Sequence, residues 1–349
     1  MCEEFAERLW ECETTVKDHQ SNGIRSVTTV IVTYNSADLF KEEPNAVPRA
    51  DWIETVFVDN DSRDSTVQVL ATTYPDAEVI ENDTNAGFSK AVNLGANGAT
   101  GDYILLLNPD AAISSEALLS LTRAAEENDL AISAPVVRDG SERFATVAAG
   151  WSPTTWKMFT HATGLSRFGH RLPVLRGHYI FGRDLVDSGV QQLDWVSGGC
   201  MLIRADAWHS LGGLTDRWFM YAEDIEFCLR ARKSGYRVGV ACGVTARHEI
   251  GQSSSGVDGQ VNPAWIVNLY ELYRWRIARS TAASRLWKFV VVGGFEARVL
   301  VYRLLSAVQG RSGERSANIN RFRVYATELR RQPSELIHAD EASANATAV

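Results

Sequence analysis

Short oxygen-bearing side chains recur at the ends of apolar runs in this sequence. Thr33-Tyr34-Asn35 follows VTTVIV, Asp59-Asn60-Asp61-Ser62 follows IETVFV, and Asn108-Pro109-Asp110 follows YILLL. Groups of this type hydrogen-bond a polar ligand, and a carboxylate such as Asp110 coordinates a hard divalent cation. They also cap helices and make turns, so each cluster alone supports either reading. Further on, Glu223-Asp224 precedes the apolar Ile225, Cys228 and Leu229. Carboxylates there either transfer protons or favour a helix N-terminus through its dipole. Asn85 and Asn93 bracket Gly87-Phe88, where a helix is expected to begin and its backbone N–H groups can meet an anion. His248 is either a metal ligand or a structural histidine.

The elements that must place these groups follow from periodicity. β-Branched and aliphatic runs at 27–33, 53–58, 77–80 and 103–107 are too short for helices and predict strands. Helical spacing over 65–73, 88–97 and 115–127 separates them, with Ser114 as the N-cap of the last. Strand and helix alternating in this way predict an α/β fold with a mostly parallel sheet and helices on both faces. In such a sheet the strand ends share one edge, where ligands bind, so the polar clusters converge on one crevice. The second half predicts a strand over 195–203 interrupted by Gly198-Gly199. It also predicts helices over 205–211 and 222–234, and a strand over 236–242 leading to His248. Residues 141–183 are basic and poorly periodic.

The chain has 349 residues, 45% hydrophobic and 22% charged, with 9 prolines, which suits a folded protein with a large core. Its net charge of −8 disfavours a general nucleic-acid binder. No apolar run is long enough to span a bilayer, and the acidic start lacks the pattern of a secretory signal. Five scattered cysteines without a CxxC pair predict reduced thiols and a cytoplasmic protein. No GxGxxG follows the first strand, which argues against a nicotinamide dehydrogenase.

Seven motifs in order resemble the family 2 glycosyltransferases, and within them the bacterial rhamnosyltransferases of cell-wall and polysaccharide assembly. They are TYN (33–35), VDNDSRD (58–64), NAGFSKAVN (85–93), LLNPDA (106–111), SGGCMLIR (197–204), YAEDIEFCLR (221–230) and HEIGQSS (248–254). The resemblance implies a GT-A fold, Rossmann-like, over residues 26–255. It also implies an inverting transfer from a nucleotide-diphosphate sugar, dTDP-L-rhamnose above others, to a glycan or polyprenyl-diphosphate-linked acceptor. A UDP-sugar donor, or a nucleotide-sugar-binding protein without catalysis, are the alternatives. By the same resemblance Asp59, Thr33 and Asn35 hold the base, while Asn85, Asn93 and Asn108 line the ribose and diphosphate. Asp110 and His248 bind Mg²⁺ or Mn²⁺. Asn108 stands where the family's DxD motif has its first aspartate, which weakens the expectation of tight metal binding. Asp224 is the general base and Glu223 orients the acceptor or the base.

Around this core, residues 1–25 are expected to be a polar leader and 313–349 a polar tail, both poorly ordered. Residues 256–312 are expected to be helical, basic and aromatic. Between 265 and 311, eight basic residues face only Glu271 and Glu296, and Trp265, Trp275, Trp287 and Phe289 lie among them. That pattern predicts helices lying in a lipid headgroup layer on the cytoplasmic face of the membrane. The alternative is helices packed on the catalytic domain or on a second copy of the chain.

Overall fold

The structure, a computed structural model, describes residues 23–138, 146–186, 188–248, 261–309 and 312–338. At its centre β1 (Val27–Thr33) pairs in parallel with β2 (Ile53–Asp59) and β4 (Tyr103–Leu107), and β3 (Glu78–Glu81) extends the sheet beyond β2. Helices α1 (Ala37–Glu42), α2 (Thr66–Thr73) and α3 (Phe88–Ala96) make the connections. Alternate side chains of β4 enter different cores. Ile104 and Leu106 pack with the second half of the chain, while Leu105 and Leu107 pack under α1, α2 and α4 (Ser115–Glu127). Ser114 caps α4 as expected, accepting from the Ala117 N–H at 3.2 Å.

Beyond β4 the sheet is mixed. Its order is β3-β2-β1-β4-β11-β6-β12-β5, with β9 (Val190–Gln192) on β12. Antiparallel β11 (Cys200–Arg204) lies between β4 and β6 (Ile132–Arg138), and β6 runs parallel to β12 (Val238–His248). The single strand expected over 195–203 is two strands. β10 (Trp195-Val196) pairs with β7 (Thr146–Gly150) in a separate three-stranded sheet completed by β8 (Tyr179–Phe181), and the chain changes sheets at Ser197–Gly199. β5 (Ala111-Ala112) closes the far edge against β12. The remaining helices are α5 (Thr155–Thr163), α6 (Ala205–Leu211), α7 (Glu223–Lys233), α8 (Ala264–Leu272), α9 (Thr281–Gln309) and α10 (Gly313–Arg331), with a π-helical turn over Tyr273–Ile277.

The C-terminal region departs from expectation twice. Residues 313–331 are a helix rather than an irregular tail, because Phe322, Ala326 and Leu329 recur at helical spacing and bury against α9. Phe322 stacks on Phe295 with centroids 5.7 Å apart. The leader to residue 22 and the tail from 339 lie outside the described residues. Three of the aromatics expected in a lipid layer face the protein instead. Trp287 is fully buried between Tyr270 and Tyr273 and donates its indole N–H to the Pro153 carbonyl at 2.7 Å. Trp275 packs against Trp218, and Trp265 against Tyr325. Burying an indole against rings is strongly favourable, and the rings come from α8, the π-helical turn, the chain before α7 and α10. Only Phe289 of the four points outward, at 77% exposure. No helix among the described residues is long and apolar enough to cross a membrane.

Trp287→Ala should cost about 3–5 kcal/mol of folding stability, and Trp287→Phe markedly less, as read by urea denaturation. Equal midpoints for the alanine variant and the parent would show that the C-terminal helices fold apart from the rest.

Candidate active site

The ends of β1, β2 and β4 open on a cavity of about 880 Å³. Thr33, Asn35, Asn85 and Asn108 line it, as the sequence predicts, joined by Asn60. Asp59 stands one layer behind. It is buried, its Oδ1 accepts from the hydroxyls of Thr33 at 2.8 Å and Ser62 at 2.6 Å, and its Oδ2 accepts from the Ser62 N–H at 2.9 Å. Asn35 sits in the left-handed region at φ 51°, and its Oδ1 accepts from the Arg63 N–H at 2.7 Å. The turns after β1 and β2 therefore brace each other, which shapes the slot between them. Asn60, present in the sequence cluster but given no role there, reaches the next turn by donating to the Gly87 carbonyl at 3.2 Å.

Asn93 is not in the cavity, contrary to expectation. Its amide donates to the Leu214 carbonyl at 2.8 Å and accepts the Leu214 N–H at 2.9 Å, so both ends of the carboxamide clamp the chain before α7. Its place on α3, more than a turn past the helix start, points it at that chain rather than at the strand ends.

The opposite wall is made by Ser197-Gly198-Gly199 and the residues around the acid pair. Tyr221 and Ala222 both hold left-handed backbone angles, φ 73° and 81°, although neither is glycine. Such a conformation costs of order 1–3 kcal/mol per residue and persists only where the surroundings enforce it. Here Asn268 of α8 donates to the carbonyls of Met220 at 2.8 Å and Tyr221 at 3.3 Å, and the Phe88 N–H donates to the Phe219 carbonyl at 2.9 Å. Gly87 is obligatory at that approach. A Cβ there would lie 2.6 Å from the Phe219 carbonyl oxygen, and its φ is 85°.

The turn delivers Glu223 and Asp224 into the cavity at the start of α7. Burial raises the pKa of Asp224, against which the Gly198 N–H at 3.1 Å, the Ile225 N–H at 2.7 Å and the Ser197 hydroxyl favour its anion. Glu223 is 4% exposed, and its Oε2 has no hydrogen-bond partner among the described residues. Burial, reinforced by Asp224, pushes its pKa up to about 8. Two adjacent carboxyls in a dry site do not both ionise; backbone N–H groups of Tyr221 and Glu223 oppose the rise at Glu223, and Asp224 has a hydroxyl donor besides its backbone N–H groups. Asp224 therefore carries the charge and Glu223 the proton near neutrality: a base beside a hydrogen-bond donor. Arg230 is structural. It binds Glu226 at 2.9 Å and the carbonyls of Leu211 and Gly213, and the buried Glu226 also takes Arg276 at 2.6 Å.

Asp110 lies at the turn from β4 to β5, 9% exposed. The β5–β12 ladder sets Ala111 opposite His248, so the backbones of Asp110 and His248 are neighbours across the strand ends. The His248 side chain is outside the described residues. Among the described residues there is no cluster of three or more His, Cys, Asp or Glu. This donor set is no closed cage; it fits a hard cation that takes one or two protein ligands and completes its shell with substrate phosphates.

An open α/β sheet with a buried acid pair facing its strand ends across one cavity is the architecture of nucleotide-sugar transferases of the GT-A type. Residues 28–188, which carry the strand ends of the slot, match the family described as Glycosyl transferase family 2. The chain is 28% identical over 236 residues to the low-salt glycan biosynthesis hexosyltransferase of Haloferax volcanii, covering 66% of this chain and 69% of that one. It is also 28% identical over 196 residues to the N-acetylglucosaminyl-diphospho-decaprenol L-rhamnosyltransferase of Mycobacterium tuberculosis, covering 53% of this chain and 62% of that one. Among solved structures, the Pyrobaculum calidifontis mannosyltransferase in complex with GDP-Man and Mn²⁺ matches the fold with a TM-score of 0.55 at 16% identity. The match covers 88% of this chain and 87% of that one.

A carboxyl protonated in the folded protein but ionised in the unfolded chain lowers stability as pH rises from about 4.5 toward 8. Glu223→Gln should thus melt higher than the parent at pH 8, with the gap closing by pH 4.5; a pH-independent gap in calorimetry would refute the protonated state. Asn268→Ala leaves two carbonyls of the strained turn without a donor. It should lower kcat with little change in donor KM, and an unchanged kcat would show that α8 does not position the acid pair.

Proposed function

We propose that the enzyme is an inverting, metal-assisted transferase that moves L-rhamnose from dTDP-L-rhamnose to a hydroxyl of a glycan or lipid-linked glycan. The observation that carries the mechanism is the facing of the Asp224 carboxylate and the strand-end slot across a single cavity. In this reading Thr33, Asn35 and the Asp59 behind them seat the pyrimidine, and Asn60, Asn85 and Asn108 meet the ribose and diphosphate. The acceptor enters from the side of Tyr179, Trp265 and Leu269. Asp224 takes the hydroxyl proton as that oxygen bonds to the anomeric carbon. The bond to the diphosphate breaks on the opposite face, and its electron pair leaves with the diphosphate oxygen. Glu223, protonated, orients the acceptor by donating a hydrogen bond.

Asp110 and His248 would hold Mg²⁺ or Mn²⁺, which would supply positive charge to the departing diphosphate. The bound Mn²⁺ of the Pyrobaculum neighbour and the name of the mycobacterial relative support the metal and the sugar respectively. That relative's name likewise supports a polyprenyl-diphosphate-linked acceptor, and in this reading the reaction lies at the cytoplasmic face of a membrane.

Donor hydrolysis across dTDP-rhamnose, UDP-glucose, UDP-galactose and GDP-mannose, with Mg²⁺, Mn²⁺ or EDTA, tests the reading. Metal-dependent selectivity for dTDP-rhamnose is expected, and selectivity for a UDP-sugar would keep the mechanism and discard the rhamnosyl donor. Asp224→Asn should lower transfer by about 10²–10⁴-fold with donor binding retained. Undiminished turnover in that variant would remove Asp224 as the base.

A further inference from the structure

The large apolar side chains left in solvent are concentrated in two places. Of the fifteen exposed among the described residues, five lie between Trp156 and Val186 and seven on α9. On α9 the set Leu286, Phe289, Leu300, Leu304 and Val308 runs along one face for roughly 33 Å, at 1.5 Å per residue. It lies opposite Trp287, Val291, Phe295 and Val299, which face the core. In the other place, Phe168, Leu172 and Val174 alternate with Arg167, His170 and Arg171, all exposed. The sequence has no Asp or Glu from 143 to 183, and Asp184, the next acid, is buried.

The two patches meet at a cluster of guanidinium groups. Arg298 of α9 donates to the His161 carbonyl at 2.8 Å at the end of α5. A Cβ on Gly164 would lie 3.0 Å from Arg298 Nη2 and 3.1 Å from Arg167 Nη2, so both side chains reach the same point. Arg183 donates to the Arg167 carbonyl, and Arg321 of α10 stands over Phe322, on whose ring Arg298 also lies. Partial burial lowers the pKa of Arg298, and the like charges of Arg167 and Arg321 lower it further, against a raising contribution from Tyr302. Arg298 Nε has no hydrogen-bond partner, and among the described residues none of these four arginines pairs with a carboxylate. Arg217 and Arg230, by contrast, pair with Glu271 and Glu226, and the buried Arg274 donates to the Glu335 carbonyl.

Converging guanidinium groups without a counter-charge call for an anion from outside, and the apolar rows beside them call for an apolar solvent. The headgroup and acyl boundary of an anionic bilayer supplies both. A second copy docking through the same face would bring like charge to like charge. We infer that residues 156–186 and the outward face of α9 dock on an anionic lipid surface, with Arg167, Arg298 and Arg321 receiving a lipid phosphate. This surface is distinct from the α8 and π-turn aromatics, which the fold buries, and it does not depend on the identity of the donor sugar.

Vesicle flotation with the full chain, without donor or acceptor, tests the docking face. Binding is expected to phosphatidylglycerol-containing vesicles and not to phosphatidylcholine alone, with release at about 0.5 M salt. Arg167→Glu with Arg183→Glu should weaken it about tenfold or more, as should Phe168→Ser with Leu172→Ser, while donor hydrolysis in solution stays at the parental rate in both variants. Several results would overturn the inference. One is no binding, or equal binding to neutral and anionic vesicles. Another is a rise in melting temperature with inorganic pyrophosphate but no affinity for vesicles. A third is a concentration-dependent dimer in light scattering that Leu304→Ser with Val308→Ser abolishes.

Discussion

Two consecutive residues without glycine's freedom, Tyr221 and Ala222, hold left-handed backbone angles immediately before α7, and the active site is organised around that constraint. Left to itself the segment would relax into an ordinary helix start, with Glu223 and Asp224 in the solvent-facing first turn. The strain is maintained from both sides. Asn268, on a helix after the central sheet in sequence, holds the carbonyls of Met220 and Tyr221, while Phe88, at the start of the crossover from β3, holds Phe219. The acid pair is thus positioned by contacts from residues as far apart as Phe88 and Asn268. The C-terminal helices pack into the body that carries the pair, and the buried Trp287 ties them to Pro153, just before α5.

The same constraint sets the electrostatics. Once the turn has placed both carboxyls in a poorly solvated wall, their different surroundings separate them. Asp224 meets two backbone N–H groups and the Ser197 hydroxyl, while Glu223 has one oxygen with no partner among the described residues. One group is held as an anion and its neighbour is held protonated, so one site has a proton acceptor and a proton donor side by side. The change of sheets at Ser197–Gly199 is what brings the Gly198 N–H to Asp224. A continuous strand there would have kept that amide in a ladder.

Charge is organised differently on the outside. Arg217, Arg230 and Arg276 are paired with Glu271 or Glu226, whereas the arginines near the end of α5 pair with no acid among the described residues and are flanked by exposed apolar rows. Arg298 sits at the seam, with its guanidinium over the Phe322 ring and beside Arg167. The helix that carries Arg298 thus buries one face in the catalytic body and turns the opposite one outward.

The amino-acid sequence by itself determined the parallel half of the sheet. The runs at 27–33 and 103–107 are buried on both faces, so composition and length alone mark them as central parallel strands, and their polar ends must share an edge. Thr33, Asn35, Asn85 and Asn108 reach the cavity for that local reason. The motifs also marked Glu223-Asp224. Tertiary structure alone decided the rest. Asn93 follows the same pattern as Asn85, yet its amide is consumed by Leu214, a partner 121 residues away. Trp265, Trp275 and Trp287 have the composition of a lipid-facing helix, yet rings from α8, the π-helical turn, the chain before α7 and α10 pack against them. Residues 313–331 are polar on average, with only Phe322, Ala326 and Leu329 fully buried, so their helix exists because α9 offers a surface to cover. Local patterning specifies an element when its burial is nearly complete. Where one face or one hydrogen bond decides, the outcome depends on which distant segment arrives opposite, and periodicity carries no record of that.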